Sequence, residues 1–355
     1  MNEKQPTIVD VAREAGVSIA TVSRALTGGS ISSVSRRKVE AAAERLHYRP
    51  GYTRSDSLKE ARHFIAAVLS SQTNPYYAAM CEGITAEAAR SGYKLLVLSY
   101  PEGTPCETVA ADLLDLRPAG ALLAGFPTER SVNPEMTRTS LMRIQEAMPL
   151  VAIGPPVEGI ECARQTLPDP SQCVRKAMAH LCMLGHRRIA FVGGDRSARF
   201  STIRENAYYE EVKRLSCCED PRYVMLTGTN AQAGELGVSI LLGNHAREDY
   251  PTAIFAINDL VALGAMRQLH RMGLNVPGDM ALVGCDNAFF TQYLTPSLTT
   301  IDLHPYEHGR SAMAELIMSI SAGKPIAFNQ SFESTLIVRE SCGAALGIRT
   351  FENNS

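Results

Sequence analysis

TIVDVAREAGVSIATVSRAL, residues 7 to 26, reads as two short helices joined by a tight turn. Ile8, Val11, Ala12 and Ala15 recur at i, i+3, i+4 and i+7, the apolar stripe of one helix. Thr7 can cap it, and Asp10 three residues on makes a capping-box-like start. Gly16 stands where a helix ends in a left-handed residue. Ser18 then stands at the N-cap of a second helix. In that helix Val22, Ala25 and Leu26 point one way, while Ala20, Ser23 and Arg24 point elsewhere. A small polar helix end turned away from a core suits insertion into a DNA major groove. Two packed helices inside any larger domain share this periodicity, so the pattern alone leaves that alternative standing.

Working outward, a third helix is predicted from about Ser33 to Tyr48, capped by Ser32, with Val39, Ala42, Ala43 and Leu46 on one stripe. Three helices around one small apolar centre make a marginal domain. Through Arg62 the chain carries eleven bases and seven acids, although the net charge of all 355 residues is −2. The head is therefore basic and the remainder acidic, which fits a nucleic-acid module on a regulatory body. Nine cysteines without CxxC spacing suggest reduced thiols rather than a disulfide framework. No apolar run approaches a membrane span, and MNEKQPTIVD has no signal-peptide character, so a cytoplasmic protein without a membrane partner is expected.

From Phe64 onward, continuous apolar strands alternate with amphipathic helices. FIAAVLSS, KLLVLSY, AGALLAG, LVAIG, RRIAFVGG, TAIFAIN and MALVGCD read as strands. The intervening stretches, such as Pro75 to Arg90 and QCVRKAMAHLCMLG, read as helices. This rhythm predicts parallel sheets covered on both faces, in two doubly wound α/β lobes. Ligands bind such sheets beyond the carboxyl ends of the strands. That rule selects Ser70, Ser71, Asn258, Asp259, Asp286 and Asn287.

DVAREAGVSIATVSRAL followed by Tyr48–Pro50 resembles the head of the lactose/galactose-repressor (LacI/GalR) family. GHRRIAFVGG, PTAIFAINDLVALGA, VPGDMALVGCDN and PSLTTID resemble the family's second lobe, and the likeness runs to near Arg339. It implies a helix-turn-helix head at 1–50, a hinge at 51–62, a bilobed periplasmic-binding-protein-like body at 63–345 and a tail at 346–355. Lobe 1 is expected at about 63–160 and 291–325, and lobe 2 at about 161–290 and 326–345.

By the same resemblance the start of the second helix reads bases. Ile19 and Ala20 offer apolar contact, and Arg24 can hold guanine O6 and N7. Ser18, Thr21 and Ser23 suit phosphate oxygens. The family's hinge drives a leucine into the minor groove, a wedge that kinks a base step. Here the ungapped leucine position is Ser57, with Leu58 one residue later, so either Leu58 wedges from a shifted register or the operator is bent less. The family's effector contacts fall on Arg204, Asn258 and Asp286, with Tyr76 or Tyr77 of NPYY at the first lobe's rim. Asn258 and Asp286 each precede a helix, so capping is an equally concrete role. The family's GFDD-like motif reads GCDN here, and Ala207 replaces an expected Gly, which bears on which ligand is taken.

The resemblance implies a DNA-binding transcriptional regulator, a repressor rather than an activator, with no cofactor beyond a small-molecule effector. A carbohydrate or sugar phosphate is favoured, since polar cleft residues suit hydroxyls. A nucleobase or a protein cofactor are the alternatives. The expected partners are a near-palindromic double-stranded operator and a second copy of the chain, as a homodimer or within a tetramer. A solute-binding protein shares the body but should carry an export signal and no helix-turn-helix. An enzyme is not expected: no GxGxxG, Walker or GxSxG motif occurs. Cys285 reads as a buried thiol rather than a nucleophile, and His304 with His308 as a surface pair rather than a metal site.

Overall fold

The computed structural model describes residues 8–26, 30–46, 64–101, 104–125, 134–154, 163–165, 169–326 and 332–344. Two compact units divide the chain, residues 1–64 and 65–355. The first contains α1 (Ile8–Ala15), α2 (Ile19–Leu26) and α3 (Ser33–Arg45). Val11, Ala12, Ala15, Val22, Ala25, Val39, Ala42 and Ala43 form its core. Gly16 makes the turn at φ +65°, a conformation that costs a residue without Cβ little. Ser32 caps α3 by accepting the Ser35 N–H at 3.1 Å. This helix stops at Arg45, short of the expected Tyr48, with the Leu46 N–H bonded to the Ala42 carbonyl.

The second unit has two sheets. In chain order the first contains β1 (Phe64–Leu69), β2 (Lys94–Leu98), β3 (Ala121–Ala124), β4 (Leu150–Ile153) and β5 (Ala163–Gln165). Their spatial order is β2-β1-β3-β4-β5. Ala66 lies beside Ala121 and Ala121 beside Leu150, both in parallel ladders. The second sheet contains β6 (Ile189–Val192), β7 (Val224–Met225), β8 (Ala253–Ala256), β9 (Ala281–Cys285), β10 (Thr299–Asp302) and β11 (Thr335–Ile337). Its order is β11-β10-β9-β8-β6-β7, with only β11 antiparallel to its neighbour. In each sheet the order reverses between the first and third strands of the doubly wound pattern, so each has a switch-point crevice there. Strands such as FIAAVL and AIFA are buried along nearly their whole length, because helices cover both faces.

The covering helices are α4 (Pro75–Arg90), α5 (Cys106–Leu116), α6 (Pro134–Ala147), α7 (Pro170–Met183), α8 (Arg199–Arg214), α9 (Ala231–Gly243), α10 (Asp259–Arg271) and α11 (Pro305–Ala322). Two helix pairs interlock backbone to backbone. A Cβ at Gly83 of α4 would meet the Tyr306 carbonyl oxygen at 2.0 Å, and one at Gly309 of α11 would meet that of Met80 at 2.1 Å. The same exchange joins Gly234 of α9 to Val261, and Gly264 of α10 to Ala231.

The structure departs from the sequence reading at two places. The sequence places residues 291–325 in the first lobe, but β10 pairs with β9 in the second sheet, Thr299 beside Val283. Among the described residues of this stretch α11 alone returns to the first lobe, where Ala312, Met313 and Leu316 join its core. The backbone of a strand this buried needs ladder partners on both sides, and β9 and β11 supply them. His304 and His308 are not a surface pair: His308 is fully buried, its ring edge-on to Phe332 at 4.8 Å, while His304 bonds Thr335. Position 308 lies on the inward face of α11, with Ala312 one turn on. The hinge 51–62, the tail 346–355 and Tyr48–Pro50 lie outside the described residues.

Candidate DNA-reading helix and ligand site

Helix α2 presents its outer face to solvent. Ser18, Ile19, Ala20, Ser23 and Arg24 are exposed and Thr21 half-buried, whereas Val22 and Ala25 point into the head core. Ile19 keeps 49% of its surface, a large value for an isoleucine in so small a domain. Ser18 Oγ accepts the Thr21 N–H at 3.2 Å and lies 2.9 Å from the Thr21 hydroxyl, so the two form one N-terminal cap. Arg24 folds back, its Nε donating to the Ala20 carbonyl at 3.3 Å. Arg36 of α3 donates to the Ala25 carbonyl at 2.7 Å and fixes the other end of α2. The helix is thus held from behind and at both ends, with its front exposed. Ser57 and Leu58, expected at the minor groove, lie outside the described residues.

In the body, the switch point of the second sheet lies between β6 and β8. Arg204, in the second turn of α8, reaches across it and donates to the Ile257 carbonyl at 2.6 Å. The side chain is buried, with the Phe200 ring 5.4 Å from the guanidinium carbon. Its Nε has no hydrogen-bond partner among the described residues. Asn258 follows immediately. Its Oδ1 accepts the Val261 N–H at 2.8 Å, capping α10, and its Nδ2 donates to the Thr229 carbonyl at 2.9 Å. Capping is therefore a real role of Asn258, and both ends of its amide are engaged. Tyr76, at the start of α4, packs against the apolar clusters of both lobes. Its ring meets Tyr77 edge-on at 5.2 Å. Tyr77 instead lies against Gly125 and Ser70, at the switch point of the first sheet.

Asp286 completes the group. It and Asn287 have φ of +117° and +52°, unusual for residues with a Cβ. Neighbouring bonds over-determine this turn. The Asp286 N–H donates to the Ile301 carbonyl at 2.8 Å, and Asn287 donates to Asp302 and accepts from Arg339, both at 2.9 Å. Asp259 anchors it from beneath, accepting the Thr300 hydroxyl and the Ala288 N–H, each at 2.7 Å. Gly284 is required here, since a Cβ would come within 2.2 Å of Asp259 Oδ1.

The electrostatics of this corner centre on Arg204. Burial opposes its charge, but Cys173, Cys285, Asp286 and Tyr76 around it outweigh that penalty and raise its pKa. Burial pushes the Cys173 thiol up, but a hydrogen bond with Cys285 and the Arg204 charge reverse this, bringing it down to about 7. Asp286 is held well above the carboxylate range, first by desolvation and then by the charge of Asp259, against the pull of Arg204. Burial lifts Asp259 to about 7, against its two hydrogen bonds. Tyr76 and Asp286 thus both act on Arg204, with Asn258 one residue from the Ile257 carbonyl. Cys285 is the buried thiol expected. Asp259 is among the strand-end residues that the sequence selects, whereas Cys173 and Arg339 escaped the sequence reading. Among the described residues, no cluster of three His, Cys, Asp or Glu could hold a metal ion. None of their helices is long and apolar enough to cross a membrane.

A solvent-facing helix-turn-helix and a body of two doubly wound lobes, with a polar corner at a switch point, define a DNA-binding transcriptional regulator rather than an enzyme. Comparison with known proteins agrees. Residues 7–51 match the lacI family of bacterial regulatory proteins, and residues 178–342 a periplasmic binding protein-like domain. The chain thus joins a LacI-family helix-turn-helix domain to a periplasmic-binding-protein-like domain. It is similar to the HTH-type transcriptional repressor CytR of Escherichia coli (strain K12), 29% identical over 346 residues, 96% of this chain and 98% of that protein. Among solved structures it resembles the Lac repressor dimer bound to operator and the anti-inducer ONPF (TM-score 0.70, 25% identity, 96% and 99% covered). It also resembles the transcriptional regulator CelR–cellobiose complex (TM-score 0.67, 26% identity, 95% and 99% covered).

Proposed function

We propose that the protein is a cytoplasmic repressor that binds a near-palindromic operator as a homodimer, alone or within a tetramer, under the control of a carbohydrate or sugar phosphate held between the two lobes. Two copies of α2 read half-sites about one helical turn apart, which multiplies the modest affinity of each head. Ile19, Ala20 and Arg24 face the base edges, and Ser18, Thr21 and Ser23 the phosphates. The relatives' names support repression, and the Lac repressor structure is itself a dimer on an operator.

The observation that carries the ligand reading is the meeting of Tyr76, whose ring packs on both lobes, with a buried Arg204 whose Nε is unpartnered among the described residues. An open donor on a buried cation favours a ligand oxygen, because leaving it unmet costs about 1–3 kcal/mol or more. Arg204 and Asp286 together suit a hydroxyl that accepts from one and donates to the other. CelR, a related regulator, has been solved with cellobiose, which is in keeping with a sugar. A ligand that binds one arrangement of the lobes better shifts the population toward it, with a typical coupling of about 1–3 kcal/mol.

A thermal-shift screen of the full chain against sugars, sugar phosphates and nucleosides tests this. Binding to the folded state raises the Tm by mass action. A sugar should raise it for the natural protein and not for Arg204→Ala. A rise with nucleosides alone would move the ligand to the nucleobase class, and equal rises for both proteins would remove Arg204 from the site.

A further inference from the structure

Helices α7 and α8 each have a ligand-corner end and an opposite end. Cys173 and Arg204 lie near their first turns. At the other end, Cys182 sits in the last turn of α7 and Cys217 follows α8, and their Sγ atoms are 3.3 Å apart. Neither thiol has a part in the sites described above. Cys182 is half-buried and Cys217 buried, while the adjacent Cys218 is exposed.

The backbone around the pair is fixed. Ser216 takes φ +52°, the Cys217 N–H donates to the Val212 carbonyl at 2.9 Å, and the Cys218 N–H donates to the Arg187 carbonyl at 2.9 Å. This turn aims Cys217 at Cys182 and leaves Cys218 toward solvent. Arg187 donates to the Cys182 carbonyl at 2.9 Å, which brings a guanidinium beside the pair. We propose that Cys182 and Cys217 are an oxidation site, a dithiol that hydrogen peroxide converts into an intramolecular disulfide joining α7 to the segment after α8.

The chemistry balances within the pair and the peroxide. The Cys182 thiolate attacks one peroxide oxygen; the O–O bond breaks and the other oxygen leaves as water once protonated. Cys182 is then a sulfenic acid. The Cys217 sulfur attacks the Cys182 sulfur, the S–O bond breaks, and the hydroxyl leaves as water with the Cys217 proton. Two thiols lose two electrons and two protons, and the peroxide becomes two waters. Cys182 suits the attacking role. The hydrogen bond from Cys217 and the charges of Arg187 and Arg214, working against burial, bring it down to about 7, while Cys217 is raised. A thiol that is partly thiolate at neutral pH and partly open to solvent reacts first.

The test is peptide mapping of the full chain after brief hydrogen peroxide treatment, alkylation of remaining thiols and digestion without reduction. Expected is a cross-link between the peptide containing Cys182 and the peptide containing Cys217 and Cys218. It should disappear on dithiothreitol treatment, be absent from Cys182→Ser and Cys217→Ser, and persist in Cys218→Ser. A cross-link that survives in Cys217→Ser would assign the partner to Cys218 and overturn the proposal. So would oxidation confined to Cys218, whether as higher oxides or as a bond between two copies of the chain. The natural protein alone decides whether the bond forms, so poor folding of a variant does not hide the answer.

Discussion

Arg24 and His308 are both basic side chains on helices, and burial gives them opposite work. Arg24 is exposed, tethered only to its own helix through the Ala20 carbonyl, and so able to swing toward a base edge. Arg24→Ala is expected to weaken specific operator binding by about 1–3 kcal/mol and relax one base position, read by selecting operators with each protein. An unchanged preferred operator would remove Arg24 from base reading. His308 is buried, and desolvation, with the charge of His304, pushes its imidazole down to about 4. In the unfolded chain it titrates near 6.5. The unfolded state thus binds the extra proton between these values, and His308 favours the fold fully above about pH 6.5 and less as pH falls toward 4. The loss amounts to about 3 kcal/mol. His308→Gln should flatten that part of the stability–pH curve, measured by urea unfolding followed by circular dichroism. The sequence showed the i, i+4 spacing of His304 and His308 but not which face of the helix they occupied. Arg204, Asn258 and Asp286 were legible because each is tied to a motif. Cys173 was not, since nothing local marks a thiol that meets its partners only through the fold.

At the scale of elements, the strand–helix rhythm made both sheets legible, because a strand buried on both faces must be apolar throughout. Segment β10 was harder to place. TTID is short, and its two threonines hide the buried face that the sheet gives them. The glycine notches were not legible either, because Gly83 and Gly309 are far apart in sequence and only the α4–α11 packing makes them a pair. Gly309→Ala sets a methyl carbon against the Met80 carbonyl, and the helices must part. A cost of about 1–3 kcal/mol or more is expected. Gly243→Ala is the control: no atom lies within 4 Å of its added carbon, so it should be neutral or gain up to about 1 kcal/mol of helix propensity. Unfolding midpoints of the two variants separate close packing from a general effect of alanine. Equal midpoints would show that α4 and α11 have room to spare.

Over the whole molecule the two units differ in what holds them. Among the described residues the head rests on eight buried side chains, five alanines and three valines, whereas the second lobe alone gathers a far larger cluster around Phe191, Phe255 and Tyr208. A domain that buries so little apolar surface opens more readily. Hydrogen exchange followed by mass spectrometry should find the amides of α2 exchanging well before those of β8. Matched rates would mean that the head gains its stability from contacts beyond its own core. The body's connectivity has a practical sequel. The chain leaves the first sheet after β5, returns to its side with α11, and goes back to add β11. Neither lobe is one uninterrupted piece of gene. Anyone grafting a new sensor lobe onto this reader must cut and rejoin the polypeptide at three places, and a single-junction chimera will strand α11 or β11 beside a foreign neighbour.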